Sequence, residues 1–283
     1  MTVQDVTDTQ MQSFRYLWAF VSKRAMQLAE CCVLGMVAMG AIASSQAAAQ
    51  LIPDSSLPTP SIVVPDSQTL ITGGVSQDTA LFHSFQTFNV APSRSVYFAN
   101  PVGIETIFTR VTGDSVSNID GVLGVLGNAD LFLLNPNGIL FGANAQLDVA
   151  GSFVATTADS IMFADGTQFG VNLLDNPALI TISTPIGVQF GTPSPSPITN
   201  SGNLSVPSGQ SLVLAGGEIV LDGGSLKASG GRIELISMAE GGLIDLSNSE
   251  NTFQLAAPAG LARADVLVTD GARVDVSDAR GQG

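Results

Sequence analysis

The sequence predicts an all-β protein and, within that class, a parallel β-helix whose coils each carry three short strands over about 22 residues. Glycines open short phrases at positions 202, 209, 217, 224 and 231, steps of seven or eight, so every third phrase returns after 22 residues. The phrases, among them Gly202-Asn-Leu-Ser-Val206 and Gly224-Ser-Leu-Lys-Ala-Ser229, alternate apolar and polar positions as half-buried strands do. No segment after residue 50 keeps apolar residues at i, i+3, i+4 and i+7 between credible caps, so helix is not expected. Strands this short, lacking regular two-residue hairpins, suit an antiparallel sandwich poorly. The period is also too short for propeller blades, which repeat at about 40 residues or more. Stacked as a solenoid, each strand pairs in parallel with its equivalent one coil away, about 4.8 Å distant, and the inward Leu, Val and Ile residues form apolar columns.

The first 49 residues read as a separate piece. A polar stretch ends in Lys23-Arg24, an uncharged apolar run covers 31–43, and Ala47-Ala48-Ala49 supplies an A-x-A cleavage site that leaves Gln50 as the new N-terminus. This is the layout of a secretory signal peptide with an unusually long n-region. A membrane anchor needs about 20 apolar residues, and Gln27 and Glu30 interrupt any extension of the run. A lipid-attached cysteine at Cys31 or Cys32 is disfavoured by the charge of Glu30 just before them. No stable membrane span is expected after cleavage. Removing 1–49 takes away three acids (Asp5, Asp8, Glu30) and three bases (Arg15, Lys23, Arg24), so the mature part keeps the whole net charge of −14. Both cysteines leave too, and with them any disulfide, thiolate metal site or thiol nucleophile.

From Leu51 to Pro65 the chain is rich in Pro and Ser, an extended leader, and ordered structure is expected from about Ile62–Val64. Ala145-Gln-Leu-Asp-Val149, Gly209-Gln-Ser-Leu-Val-Leu214, Gly217-Glu-Ile-Val-Leu221, Gly231-Arg-Ile-Glu-Leu-Ile236, Gly242-Leu-Ile-Asp-Leu246 and Gly271-Ala-Arg-Val-Asp-Val-Ser277 read as further coil strands. Gly191-Thr-Pro-Ser-Pro-Ser-Pro197 is too proline-rich for a central strand. It reads as a loop leaving the helix or as a soft boundary between a less regular region, 50–190, and regular coils, 198–283. The chain stops after an open strand and turn with no amphipathic cap, so it is expected to be the front part of a longer protein or a truncated copy.

Strong acidity argues against a partner with a phosphate backbone: no nucleic acid and no anionic membrane surface is expected. Catalytic constellations are scarce. His83 is the only histidine, which excludes Ser-His-Asp, Cys-His and multi-histidine metal sites by count; its place in Leu81-Phe-His-Ser-Phe85 reads as structural or surface-exposed. Carboxylates could act as a pair in glycoside hydrolysis, and Asp245, Asp270, Asp275 and Asp278 are candidates, although a solvated outward face explains them equally well. The Asp-Gly pairs at 120–121, 165–166, 222–223 and 270–271 read as turns. No tandem calcium-binding repeat or nucleotide fingerprint is present, and neither cofactor nor metal is expected. The sharpest local feature is Leu131-Phe-Leu-Leu-Asn-Pro-Asn-Gly-Ile-Leu-Phe141, whose Asn135-Pro136-Asn137-Gly138 centre matches a type I turn between two buried strands.

That centre, extended to Ile139, resembles the signature of the secretion domain at the N-terminus of filamentous haemagglutinin-like exoproteins, the exported partners of two-partner secretion systems. Phe85-Gln-Thr-Phe-Asn-Val90, Val96-Tyr-Phe-Ala-Asn100, Ile107-Phe-Thr-Arg-Val111, Ser117-Asn-Ile-Asp-Gly121, Leu126-Gly-Asn-Ala-Asp-Leu131 and Gly151-Ser-Phe-Val-Ala-Thr156 agree in order, covering roughly residues 62–165. The resemblance implies a right-handed helix with an N-terminal cap and side hairpins. It also implies recognition by the periplasmic POTRA modules of an outer-membrane β-barrel transporter, passage through the pore unfolded, and folding outside. By the family's pattern, Asn135, Pro136, Asn137, Gly138 and Ile139 form the secretion motif, and Phe85, Phe88, Asn89 and Val90 a supporting one. A second Asn-Pro-Asn-Leu motif of some members is not visible here.

The expectation is therefore a signal peptide (1–49), a secretion domain that nucleates the β-helix (50–190) and the start of a shaft (198–283). The whole would be a non-catalytic, adhesin-like exoprotein at the cell surface, with host or surface carbohydrate or protein as a further partner. The competing expectation is a secreted β-helix that binds or cleaves polysaccharide.

Overall fold

The computed structural model describes residues 50–172, 184–191, 194–249 and 252–278. The expected signal peptide lies outside them. The described residues form an all-β solenoid with three parallel faces and one lateral antiparallel sheet, and no helix among them is long and apolar enough to cross a membrane.

The first face stacks Ala80–Phe88, Thr106–Val111, Asp130–Leu134, Phe153–Thr156, Ser211–Gly216 and Arg232–Ser237, each parallel to the next. The second face stacks Ser117–Ile119, Ile139–Phe141, Ile198–Asn200, Ile219–Asp222 and Val266–Thr269. The third stacks Gln68–Gly73, Ser95–Ala99, Val122–Leu126, Gln146–Asp148, Asn203–Val206, Ser225–Ala228 and Arg273–Asp275. The chain visits the faces in that order in each coil. Register keeps like on like: Leu204 lies opposite Leu226, 22 residues on, and Ile198 opposite Ile219. Val96, Leu123, Leu204 and Leu226 are fully buried along the third face, and Ile139, Ile198 and Ile219 along the second. Each such side chain contributes about 1.5–3 kcal/mol of burial, so the columns carry the described residues, which include no cysteine.

The first face differs because it is buried on both sides. Leu81, Ile107, Leu131, Phe153 and Leu212 point into the helix, whereas Phe82, Phe108, Phe132, Val154 and Val213 point outward into a second core. That second core is roofed by an antiparallel sheet of Gln168–Gly170, Ser160–Phe163, Pro185–Phe190, Gly242–Ser249 and Thr252–Ala256. Burial on both sides explains the continuous apolar run Leu131-Phe-Leu-Leu134, since a two-sided strand has no wet positions to alternate with. The phenyl rings meet there at 4.9–5.4 Å, as in Phe108–Phe132 and Phe108–Phe163.

Two expectations are corrected. Gly242-Leu-Ile-Asp-Leu246 has the alternation of a coil strand yet runs antiparallel to Pro185–Phe190 in the lateral sheet, because a half-buried strand alternates alike in either setting. Order also starts earlier than Ile62: Leu51–Pro53 pairs antiparallel with Phe85–Phe88, and Ser61–Val64 with Leu70–Gly73. The leader thus covers the first edges of two faces, which would otherwise present unpaired parallel strands. The segment after Gly191 leads from the lateral sheet back to Ile198 on the second face, and strand pairing runs across it from Phe153–Thr156 to Ser211–Gly216.

Candidate functional site

The Asn135–Ile139 segment is a corner between the first and second faces of the third coil. Leu134 ends one buried strand and Ile139 begins the next. The Gly138 amide donates to the Asn135 carbonyl at 3.1 Å, closing the turn expected from the sequence. Pro136 presets the φ of the second position. Gly138 has φ +114, and a Cβ there would sit 3.2 Å from the Pro197 carbonyl oxygen, so a side chain is disfavoured twice.

Asn135 is fully buried and uses both ends of its amide. Its Oδ1 accepts from the Asn137 amide at 3.0 Å. Its Nδ2 donates to the Ser115 carbonyl and to Ser117 Oγ, both at 2.9 Å. Asn137 Nδ2 donates to the Gly113 carbonyl at 2.6 Å. The Asn135 backbone N–H donates the other way to the Thr156 carbonyl at 3.0 Å, and the Ile139 backbone N–H to the Pro197 carbonyl at 3.3 Å. One corner thereby fastens the coils before and after it. Aspartate could not replace Asn135, because an ionised carboxylate has no proton to give Ser115 or Ser117.

The supporting residues sit two coils earlier, on the other side of the intervening strand Ser117–Ile119. Phe85, Phe88 and Val90 are buried; Phe85 and Phe88 meet edge to face at 5.1 Å, and Phe88 stacks on Phe98 at 6.0 Å. Asn89 Oδ1 accepts from the Asn118 amide at 2.8 Å, and Val90 bridges in parallel to Ile119. The two motifs therefore converge on Ser117–Ile119. Val90 pairs with it from one side and Ile139–Phe141 from the other. Sequence reading missed Ser115, Ser117 and Gly113 as partners of the asparagines; small polar residues 18 to 24 positions upstream, close to one coil, were the available signal.

Three of the carboxylates considered for catalysis, Asp245, Asp270 and Asp275, lie on different elements. Asp245 lies in the lateral sheet opposite Gly187 and Ala256. Asp275, on the third face, caps its own turn by accepting from Ser277. Asp270 sits at an exposed turn beside Asp222, whose hydrogen bond and charge raise its pKa. Among the described residues no group of three or more His, Cys, Asp or Glu side chains could hold a metal ion. His83, expected to be structural or surface-exposed, is wholly buried, with Nδ1 2.9 Å from Ser61 Oγ.

A three-faced parallel solenoid with an antiparallel N-terminal cap, a lateral sheet over one face and an asparagine-clasped corner defines a capped parallel β-helix. The chain belongs to the TPS secretion domain family, whose model matches residues 49–283. Domains of this family form the N-terminal region of two-partner-secreted, haemagglutinin-like exoproteins exported to the cell surface. A heme/hemopexin-binding protein of Haemophilus influenzae strain Rd is 36% identical over 75 residues, 26% of this chain and 8% of that protein. The chain thus matches under a tenth of that relative's length. The HMW1 secretion domain of Haemophilus influenzae is 23% identical in sequence, with a TM-score of 0.47 over 75% of this chain and 48% of that one. The filamentous hemagglutinin secretion domain is 17% identical, with a TM-score of 0.46 over 80% and 73% of the two chains.

Proposed function

We propose that residues 50–190 are the export signal and folding nucleus of an adhesin-like exoprotein, recognised by the POTRA modules of a dedicated outer-membrane β-barrel transporter, and that 198–283 begin its shaft. The observation that carries this reading is the Asn135–Ile139 clasp within a chain matched by the secretion-domain family over residues 49–283.

The geometry adds a constraint. Asn135, Gly138 and Ile139 are buried in the folded domain, and Phe85, Phe88 and Val90 are core residues. A transporter module can touch these side chains only in the unfolded chain, so recognition comes before folding and the same residues then lock the coils outside. Each motif serves twice, first as an extended segment read in the periplasm and later as a corner. A pore-borne chain without cysteines forms no covalent loop on the way. The role is non-catalytic, and a host or surface carbohydrate or protein is the partner of the displayed protein.

The test is export itself. The chain is produced with and without its cognate transporter, and the medium is assayed for it. Transporter-dependent release is expected; equal release without the transporter overturns the reading.

A further inference from the structure

A second buried polar assembly lies on the outer side of the first face, apart from the Asn135 corner. Arg110, 4% exposed, is at its centre. Its Nε donates to Ser84 Oγ and its Nη2 to Ser56 Oγ, both at 2.9 Å, and its Nη1 to the Gly170 carbonyl at 2.5 Å. The guanidinium also lies 4.6 Å from the centre of the Phe169 ring. Asp54 closes the far side. Its Oδ1 accepts from the Ser56 amide and hydroxyl, and its Oδ2 from Ser84 Oγ at 2.7 Å and Thr112 Oγ1 at 2.5 Å. Burial pushes the Asp54 carboxyl up, yet the hydrogen bonds from Ser56, Thr112 and Ser84 outweigh it and hold it below its usual range.

The partners come from three separate stretches of chain. Asp54 and Ser56 belong to the leader that covers the first edge, next to Leu57, which is buried in the lateral core. Ser84, Arg110 and Thr112 belong to the first two coils. Phe169 and Gly170 belong to the lateral hairpin, and Gly170 lies 60 residues after Arg110. A buried cation is costly unless a counter-charge and hydrogen bonds compensate it, here Asp54 and three acceptors, and a planar guanidinium fork serves those three directions at once.

We propose that Arg110 pins a latch in which the leader strap, residues 51–57, and the lateral hairpin, residues 160–170, lock each other in place, so that neither reaches full order without its counterpart. The strap precedes the first coil, and its anchor is completed only by Phe169 and Gly170. Closure therefore reports that the chain through residue 170 is free to fold. In export this would delay final capping until the secretion domain is outside. That consequence rests on the function proposed above, whereas the coupling itself does not.

Amide hydrogen exchange of the refolded full chain, with no transporter present, tests the coupling. Thr112→Val removes a hydroxyl that touches Asp54 and the Phe85 carbonyl. Phe169→Ala removes the ring on the hairpin side. Each variant is expected to speed exchange about tenfold in both segments, at Asp54 and Ser56 in the strap and at Phe163 and Val171 by the hairpin, because coupling between two sites is reciprocal. Amides of Asn203–Val206 serve as the reference and stay unchanged. Loosening confined to the strap in Thr112→Val, whose lost hydroxyl held Asp54, or to the hairpin in Phe169→Ala, or equal loosening of the reference strand, overturns the latch. Arg110→Met should loosen both segments more strongly; if it does not fold, the two milder variants still decide.

Discussion

Asn135 and Asn89 hold consecutive residues of one strand from opposite sides: Asn135 Nδ2 donates to Ser117 Oγ at 2.9 Å, and Asn89 Oδ1 accepts from the Asn118 amide at 2.8 Å. The strand between them, Ser117–Ile119, has three residues and little apolar area of its own. Side-chain amides therefore do there what long strands do elsewhere, fixing register between three successive coils.

The first expectation concerns this clasp. Asn135→Ala leaves the Ser115 carbonyl, Ser117 Oγ and Asn137 amide without their partner in a buried corner. Chemical denaturation should show a loss of about 2–4 kcal/mol, more than one ordinary hydrogen bond. Ser117→Ala removes one contact and should lose about 1 kcal/mol. Equal losses for the two would show that the corner is not organised around Asn135.

Gly138 and Gly209 separate two reasons for glycine. Both have positive φ, +114 and +83, but a Cβ at 138 meets the Pro197 carbonyl oxygen at 3.2 Å while one at 209 meets nothing within 4 Å. Alanine at 209 should lose about 1 kcal/mol from backbone strain alone. Alanine at 138 should lose more, measured by the shift in denaturation midpoint, because the next coil must also move.

His83 makes the fold sensitive to mild acid. Burial lowers its pKa from 6.5 to about 4. The unfolded chain therefore binds a proton that the native chain refuses in this window. Stability is fully present above pH 6.5 and is lost as pH falls towards 4, by roughly 3 kcal/mol in total. His83→Gln should show a deficit against the parent at pH 7.5 that shrinks by about this amount at pH 4. A deficit independent of pH would show that His83 is not titrating as its burial requires.

Asp130 works in the opposite sense. Burial first, and the charge of Glu105 in addition, raise its pKa from 3.8 to about 6 against the hydrogen bond from the Ser152 amide. The ionised form is thus a liability above pH 6, relieved as pH falls to 3.8. Asp130→Asn keeps an oxygen for the Ser152 amide and should be more stable than the parent by about 1–2 kcal/mol at pH 7.5, with no difference near pH 4. Greater stability of the parent at pH 7.5 would contradict this.

Much of the fold was legible because a solenoid repeats its physics. Leu204 and Leu226, or Ile198 and Ile219, sit one coil apart in sequence and face each other in space. The type I corner at Asn135 was readable from turn chemistry alone. The lateral sheet was not. Gly242–Leu246 alternates as a coil strand would, and only the outward phenylalanines at 82, 108 and 132 hinted that one face needed a roof. The Arg110 assembly was equally hidden, since its partners lie 26, 54 and 60 residues away with no shared spacing. Asn135 was singled out by its turn and by family resemblance, while its grip on Ser115 and Ser117 emerged only when the coils were stacked.

The most direct measurement compares export of three chains by the cognate transporter: the parent, Asn135→Ala with Asn137→Ala, and Leu226→Ala as a shaft variant of similar instability. If the corner is read as an unfolded signal before it becomes a clasp, the asparagine variant stays cell-associated while the parent and the Leu226 variant reach the medium. Release of the asparagine variant at the parent's level, or equal failure of both variants, would contradict that role.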